Sequence, residues 1–255
     1  MNGLSLKQRA IGAYSAPWLQ RLVLAGMRIS GREARFLARY MGQPGPKALQ
    51  IGAGANRHRG WLHTNHFPIR PWGRQSVFLD ATARFPFACA SFDYVFAEHM
   101  IEHVDYAGGA AMLREAFRVL KPGGRIRIAT PDVRVFARLL GEDLSAEDRA
   151  LLGYVCEAWN APGEPVSGVA ALNTQMHAWG HRFLYDEAAL RGSIEKAGFT
   201  HIRRMRVGES ADPFLAGIDN DARLPSGVLD AISVVLEAVK PGGHENPLFS
   251  PPLRD

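Results

Sequence analysis

The chain has 255 residues, of which 47% are hydrophobic and 22% charged, with a formal net charge of +5. That length holds one large α/β domain or two small ones, and the composition excludes a disordered or collagen-like chain. No apolar run reaches the roughly 18 residues of a membrane span. The two cysteines, Cys89 and Cys156, give no disulfide scaffold and suit a reducing cytoplasm, and Lys7 and Arg9 precede no convincing secretory cleavage site.

Residues 1–46 predict helix, broken at Pro17, Gly26, Gly31 and Gly42 and closed by the turn cluster Gly42-Gln-Pro-Gly-Pro46. They form an N-terminal helical extension, a lid or a dimer contact, with Trp18, Leu19, Leu22, Leu24 and Phe36 as its apolar side. Most of the positive excess lies here: Lys7, Arg9, Arg21, Arg28, Arg32, Arg35, Arg39 and Lys47 against Glu33. A solvated helical face accounts for it, and a surface for an anionic partner such as RNA is the alternative.

Residues 47–255 read as one α/β domain. Ala48–Ile51, Trp61–His66, Val77–Asp80 and Phe92–Phe96 predict four short strands. Ala107–Leu120 predicts a helix, with Ala111, Leu113, Ala116, Phe117 and Leu120 at helical spacing and Lys121-Pro-Gly-Gly124 as its stop. Arg125–Ala129 alternates polar and apolar as a fifth strand, and helices follow over Val133–Leu140 and Ala146–Trp159. Asn160–Gly180, rich in Pro, Gly and small residues, predicts a long loop within a lid-like insertion near 160–182. Asp186–Ala197 predicts a helix stopped by Gly198, and Phe199–Val207 and Ile232–Val239 predict the closing strands, with turn-rich Gly208–Gly227 between them. Strand and helix in alternation make a mostly parallel sheet with helices on both faces. Its ligands bind outside the carboxyl ends of the strands.

Two clusters carry chemistry. In Ala48-Leu-Gln-Ile-Gly-Ala-Gly54 an apolar run stops at two glycines, which lets the chain turn sharply and a nucleotide-like ligand approach the main chain. A dinucleotide fold wants a third glycine where this chain has Arg57. Asn65, Asp80 and Glu98 fall at or just past the ends of the next strands. The second cluster is Glu98-His-Met-Ile-Glu-His103, in which His99, Glu102 and His103 form a His-x-x-Glu-His string. On a helix, residues three and four apart share a face, and zinc hydrolases of the inverted type use that string. A divalent metal near it is left open, with His177 or His181 as further ligands, and none is assigned. Glu102 and His103 either form a buried hydrogen-bonded pair, or His103 acts as general base, for which an ordinary value near 6.5 suits neutral pH. His177 and His181, flanking Trp179, bind substrate or cap the segment that follows.

Leu49-Gln-Ile-Gly-Ala-Gly54, Ser91-Phe-Asp-Tyr-Val-Phe-Ala-Glu-His-Met-Ile-Glu-His103 and Glu115-Ala-Phe-Arg-Val-Leu-Lys-Pro-Gly-Gly124 resemble, in order and spacing over roughly 48–130, the class I S-adenosylmethionine-dependent methyltransferases. Trp179-Gly-His-Arg-Phe-Leu-Tyr185 and Ala197-Gly-Phe199 look like the C-terminal half of a bacterial branch often associated with glycan or secondary-metabolite biosynthesis. The resemblance leaves residues 1–46 uncovered. It implies a Rossmann-like, seven-stranded, mostly parallel sheet with an antiparallel last strand, and S-adenosylmethionine as cofactor. The cofactor would be held at Gly52, Ala53, Gly54, Asn65, Asp80, Ala81 and Glu98. The family's acidic residue for the ribose hydroxyls is here Asn65, which can accept one hydrogen bond but carries no charge. Asp80 stands near the adenine amino group or caps a turn, and Asp93 is structural.

The implied reaction is methyl transfer by in-line displacement to a small-molecule or saccharide acceptor, first of all a hydroxyl. His103 and Glu102 are its catalytic candidates, and His177, Trp179 and His181 its substrate-binding ones. The alternatives are an RNA methyltransferase using the basic N-terminal segment, a catalytically silent cofactor-binding protein and, remotely, a metal-dependent hydrolase. No nucleic-acid partner and no membrane span are expected, a homodimer is open, and the cytoplasm is the expected location.

Overall fold

Ala48–Ile51 (β1) is buried along its whole length, as a strand covered on both faces must be. The computed structural model describes residues 26, 31–54, 56–66, 76–161, 163–219, 224–225 and 227–242. Within them β1 is joined by Trp61–Asn65 (β2), Val77–Phe78 (β3), Phe92–Glu98 (β4), Leu120–Pro131 (β5), Thr200–Met205 (β6) and Ser233–Val239 (β7). The order across the sheet is β3-β2-β1-β4-β5-β7-β6. Pairing is parallel from β3 to β5, and β7 runs antiparallel to both β5 and β6. This is the expected Rossmann-like architecture with seven strands. The order reverses between β1 and β4, so their carboxyl ends flank the crevice where such sheets bind ligands.

Successive residues of the strands serve opposite faces. Leu49, Ile51, Val95 and Ala97 join one cluster with Met112, Leu113, Leu190 and Ile194, while Ala48 and Phe96 join another with Trp61, Leu215 and Ile218. The helices supplying the first cluster are Tyr106–Val119 and Glu187–Lys196. In chain order the helices are α1 (Arg32–Met41), α2 (Tyr106–Val119), α3 (Val133–Arg138), α4 (Ala146–Trp159), α5 (Gly168–His177), α6 (Glu187–Lys196) and α7 (Val228–Ile232). Side-chain oxygens cap most of them: Asp105 accepts from the Gly108 N–H, Ser145 from Asp148, Ser167 from Ala170 and Asp186 from Ala189.

Of the expected N-terminal extension, α1 is the described helix, and Trp18, Leu19, Leu22 and Leu24 lie outside the described residues. Phe36, Leu37 and Met41 of α1 pack on the core. The Tyr40 hydroxyl donates to the Ala48 carbonyl at 2.9 Å, and Glu33 accepts the Phe78 N–H at 2.6 Å, which ties α1 to β1 and β3.

Asn160–Gly180 is not a loop. Its centre is α5, followed by a 3₁₀ turn, Ala178–Gly180. The small residues that suggested a loop are there for close packing. A Cβ on Gly168 would lie 2.0 Å from the Leu139 carbonyl oxygen, and Ala171 is fully buried against α3 and α4 with Val135, Phe136, Val155 and Cys156. Strand limits also differ, β4 running on to Glu98 and β6 being confined to Thr200–Met205. β3 has only two residues, β5 begins at Leu120, so that Lys121-Pro-Gly-Gly124 lies within its span, and β7 begins only after α7. Nor does all of the polar side of β5 face water. Arg127 is fully buried, with Nη2 2.5 Å from Asp219 and Nη1 2.6 Å from Glu237.

Candidate active site

The crevice starts from main-chain geometry. Gly52 and Gly54 both have positive φ, +66° and +54°, a region closed to most side chains. A Cβ on Gly52 would stand 2.4 Å from Cγ of Met100, in the turn after β4. Ile51 is in register with Ala97, which sets Gly52 beside Glu98. Two amides of the glycine turn have internal partners: Ala53 N–H donates to the Thr64 carbonyl at 2.9 Å, and Gly54 N–H to Asn65 Oδ1 at 2.8 Å. The Asn65 carbonyl group therefore anchors the turn instead of facing a ligand. Its Nδ2 is buried and has no hydrogen-bond partner among the described residues.

Glu98 accepts from Asn56 Nδ2 at 2.6 Å, which orients its carboxylate at the end of β4. Asp80 accepts from the N–H and hydroxyl of Thr82, a turn cap. It also lines a cavity of about 400 Å³ with Glu33, Leu37, Phe78 and Arg84. Ala81 is buried and its methyl group joins the core, so it offers the crevice only main chain. Asp93 is tied to Lys121 Nζ at 2.9 Å and to the Lys47 N–H, at the amino end of β4 and away from the carboxyl ends of the strands.

Beyond β4 the string Glu98-His-Met-Ile-Glu-His103 is not one helix. His99 has φ +45°, and only Ile101–His103 forms a 3₁₀ turn. His99 Nδ1 stays 3.6 Å from Glu102 Oε1, while its Nε2 lies 3.2 Å from the Ser233 hydroxyl. Glu102 is fully buried. Its Oε2 accepts from the Thr130 hydroxyl at 3.0 Å, and burial lifts its carboxyl to about 8.

What stands against Glu102 and His103 comes from far along the chain. The N–H groups of Arg182 and Phe183 donate to the Glu102 carbonyl at 2.7 and 3.2 Å. That docks the segment after α5 onto the 3₁₀ turn and brings His181 to His103, ring centroids 4.9 Å apart. Ligand-capable atoms of Glu102, His103 and His181 all lie within 4.8 Å of one another. Burial lowers both histidines, and for His103 the charge of His181 lowers it further, so both imidazoles are neutral at pH 7. Trp179, with φ +56° and an exposed ring, touches His181 on one side and Trp159 on the other. Backbone strain in non-glycine residues gathers at functional sites, and His99 and Trp179 border this cluster. His177 is exposed outside it and lines a shallow cavity of about 610 Å³ with Trp159, Asn173 and Thr174.

With this geometry in place, residues 49–128 match the family model described as "Methyltransferase domain". The chain is an S-adenosylmethionine-dependent methyltransferase. No curated protein matches it in sequence. Solved structures similar to this methyltransferase include a SAM-dependent methyltransferase from Thermotoga maritima, at 18% identity over 87% of this chain and 97% of the other, with a TM-score of 0.45. One from Archaeoglobus fulgidus has 17% identity over 87% and 94%, TM-score 0.45. Phosphoethanolamine N-methyltransferase 2 of Haemonchus contortus, in complex with S-adenosylmethionine, has 16% identity over 83% and 52%, TM-score 0.40. At these values the assignment rests on the domain match and not on the likenesses. No helix among the described residues is long and apolar enough to cross a membrane.

The residues fit the methyl donor. A Cβ on Gly54 would meet nothing nearer than the Gly52 carbonyl oxygen at 3.9 Å, which leaves the main chain there open to a ligand, and the orphaned Asn65 Nδ2 is a buried donor that a ribose hydroxyl oxygen can accept from. The motifs of the glycine turn and of β4 are the local signals that nominated these residues. The pairing of His103 with His181 had no local signal, because 78 residues separate them in the sequence.

Proposed function

We propose that this methyltransferase transfers the methyl group to a hydroxyl of a small-molecule or saccharide acceptor, as an O-methyltransferase. S-adenosylmethionine, when bound, supplies a methyl already activated by the sulfonium, so the protein needs to position the acceptor and take its proton. Gly52, Ala53 and Gly54 hold the donor against the strand ends, with Asn65 and Glu98 at the ribose and Asp80 and the main chain of Ala81 toward the adenine. The acceptor enters past Trp179 and His177, and its proton leaves at the cluster of His103 and His181. Glu102 holds the turn that carries His103.

The observation that carries this reading is the pair of imidazoles, His103 and His181, with ring centroids 4.9 Å apart, of which His103 bonds through its backbone N–H to the carbonyl of Met100, the residue packed on Gly52. A hydroxyl needs a proton acceptor in its transition state, whereas an amine or thiolate presents a lone pair without one. Alignment of acceptor and methyl can contribute on the order of 7–11 kcal/mol. The aromatic run from Trp159 through Trp179 to His181 suits a ring-shaped acceptor, a sugar included. The RNA alternative depended on a basic segment most of which lies outside the described residues. The hydrolase alternative required the His99 string to converge on one helix face, which it does not.

The test is release of S-adenosylhomocysteine on a panel of sugars, phenols, amines and thiols. Turnover is expected on hydroxyl acceptors and lost when the hydroxyl is replaced by hydrogen. Turnover confined to amines or thiols would refute the hydroxyl assignment.

A further inference from the structure

We infer that Glu102, His103 and His181 form a site for one first-row divalent cation, of which Zn²⁺ is the best chemical match. Two imidazoles and one carboxylate are the nitrogen and oxygen donors such ions prefer, and Mg²⁺, which wants oxygen throughout, is a poor match. The ligand-capable atoms lie within 4.8 Å of one another. Tetrahedral ligands at about 2.1 Å from an ion stand roughly 3.4 Å apart, so the side chains need to close by little more than ~1 Å.

A second observation points the same way. Glu102 is fully buried, yet its Oε1 has no hydrogen-bond partner among the described residues. His99 Nδ1 stays at 3.6 Å from it, beyond hydrogen-bond reach. Without a cation this buried group is a neutral acid; its ionised form needs a partner or a metal, which makes the free oxygen an available ligand. The groups behind the three ligands are also those a metal site uses. His181 Nδ1 lies 2.6 Å from the Gln175 carbonyl, so that nitrogen carries the proton and Nε2 keeps its lone pair. The His103 ring is held by backbone of Trp179, Gly180 and His99. Glu102 Oε2 accepts from Thr130. His181 and Glu102 thus each have their other polar atom fixed by a neighbour. The string itself would nominate His99, but that ring is directed to Ser233 and Glu102, and His181 takes its place.

The role of the cation rests on the hydroxyl reading above and changes one detail of it. With three protein ligands a coordination position stays open. An acceptor hydroxyl oxygen there becomes more acidic, and its proton leaves to bulk water. The oxygen's electron pair then forms the O–C bond to the methyl while the C–S bond breaks and its pair returns to sulfur.

The experiment is calorimetric titration of the chelator-stripped full-length chain with Zn²⁺, with ion content measured by elemental mass spectrometry. One ion per chain is expected. His181→Ala and Glu102→Gln should each weaken binding at least ~10-fold, and His201→Ala, an exposed histidine outside the cluster, should leave it unchanged. Thermal melting without metal shows whether the variants fold. Thr130→Val, which keeps all three ligands, supplies the same test if they do not, with an expected loss of roughly 10-fold. No ion bound by the wild-type chain at ~0.1 mM Zn²⁺, or equal binding by wild type and His181→Ala, overturns the inference. Hydroxyl methylation that persists undiminished in chelator removes the cation and keeps the proposed function. A bound ion without any hydroxyl methylation keeps the site and removes that function.

Discussion

The two halves of the crevice are made in different ways. The half we assign to the cofactor is main chain: Gly52 and Gly54 in left-handed conformations, with β2 next door satisfying the Ala53 and Gly54 amides. Everything it needs lies within a few residues of a strand end. The half proposed for the acceptor is side chain, gathered from a 3₁₀ turn after β4 and a segment almost 80 residues later, and held by two hydrogen bonds to the Glu102 carbonyl. The first half tolerates little change at single backbone positions. The second depends on a docking event between distant parts of the chain. It follows that the donor and acceptor functions should be separable by mutation.

The largest separation is expected at His103. His103→Ala should lower turnover by about 10²–10⁴-fold, the usual contribution of a group handling a proton, while affinity for S-adenosylhomocysteine stays within about twofold. Steady-state kinetics beside calorimetry would reveal it, and a parallel fall in both would mean the halves are one unit. The reverse case is Gly52→Val. A β-branched residue at φ +66°, with its Cβ 2.4 Å from Met100, displaces the turn or the methionine. Strain and overpacking of about 3 kcal/mol predict roughly 100-fold weaker S-adenosylhomocysteine binding, with Zn²⁺ uptake at the histidine cluster retained. Retained cofactor affinity would take the glycine turn out of the site.

A milder change sharpens the cofactor half. Asn65→Asp keeps an acceptor for the Gly54 N–H and replaces the orphaned Nδ2 by a second acceptor. Affinity for S-adenosylhomocysteine should fall about fivefold, the worth of one lost hydrogen bond of ~1 kcal/mol from Nδ2 to a ribose oxygen. A gain of affinity would mean that the ribose hydroxyls donate at this position instead.

The smallest effect concerns what fastens the loop around Asp80 to α2. Arg118 binds Glu115 and the carbonyls of Phe85 and Phe87, and Glu115 accepts the Phe85 N–H. The hydrogen bonds from Arg118 hold the Glu115 carboxyl below the ordinary glutamate value. A depressed carboxyl stabilises the fold above the unfolded-state value, and that contribution is lost as pH falls through the folded one. Melting temperatures across the acid range should therefore fall less steeply in Glu115→Gln than in wild type, by less than about 1 kcal/mol in all for a partly exposed pair. Parallel acid limbs would show the pair to be inert.

The legibility of the molecule follows the same division. Strand β1, the glycine turn after it and helix α2 are written in adjacent residues, because a buried strand must be apolar and a sharp turn must have glycine. The limits of β3 and β5 were not, since pairing partners decide where a ladder stops. The helix over Gly168–His177 was hidden by the glycine and alanines that its packing against Leu139 and α4 demands. Arg127 reads as a solvent-facing position of an alternating strand, yet Asp219 and Glu237 reach it only when the chain after β6 folds over that face.

By itself the amino-acid order determined the class of sheet, the place of the cofactor turn and the chemistry of methyl transfer, because each depends on contacts between near neighbours in the chain. Only the folded chain decided that Asn65 anchors a backbone amide, that His99 turns to Ser233, and that His181 meets Glu102 and His103. Those three outcomes depend on which hydrogen bonds distant segments complete when they are buried together, and no local pattern encodes that choice.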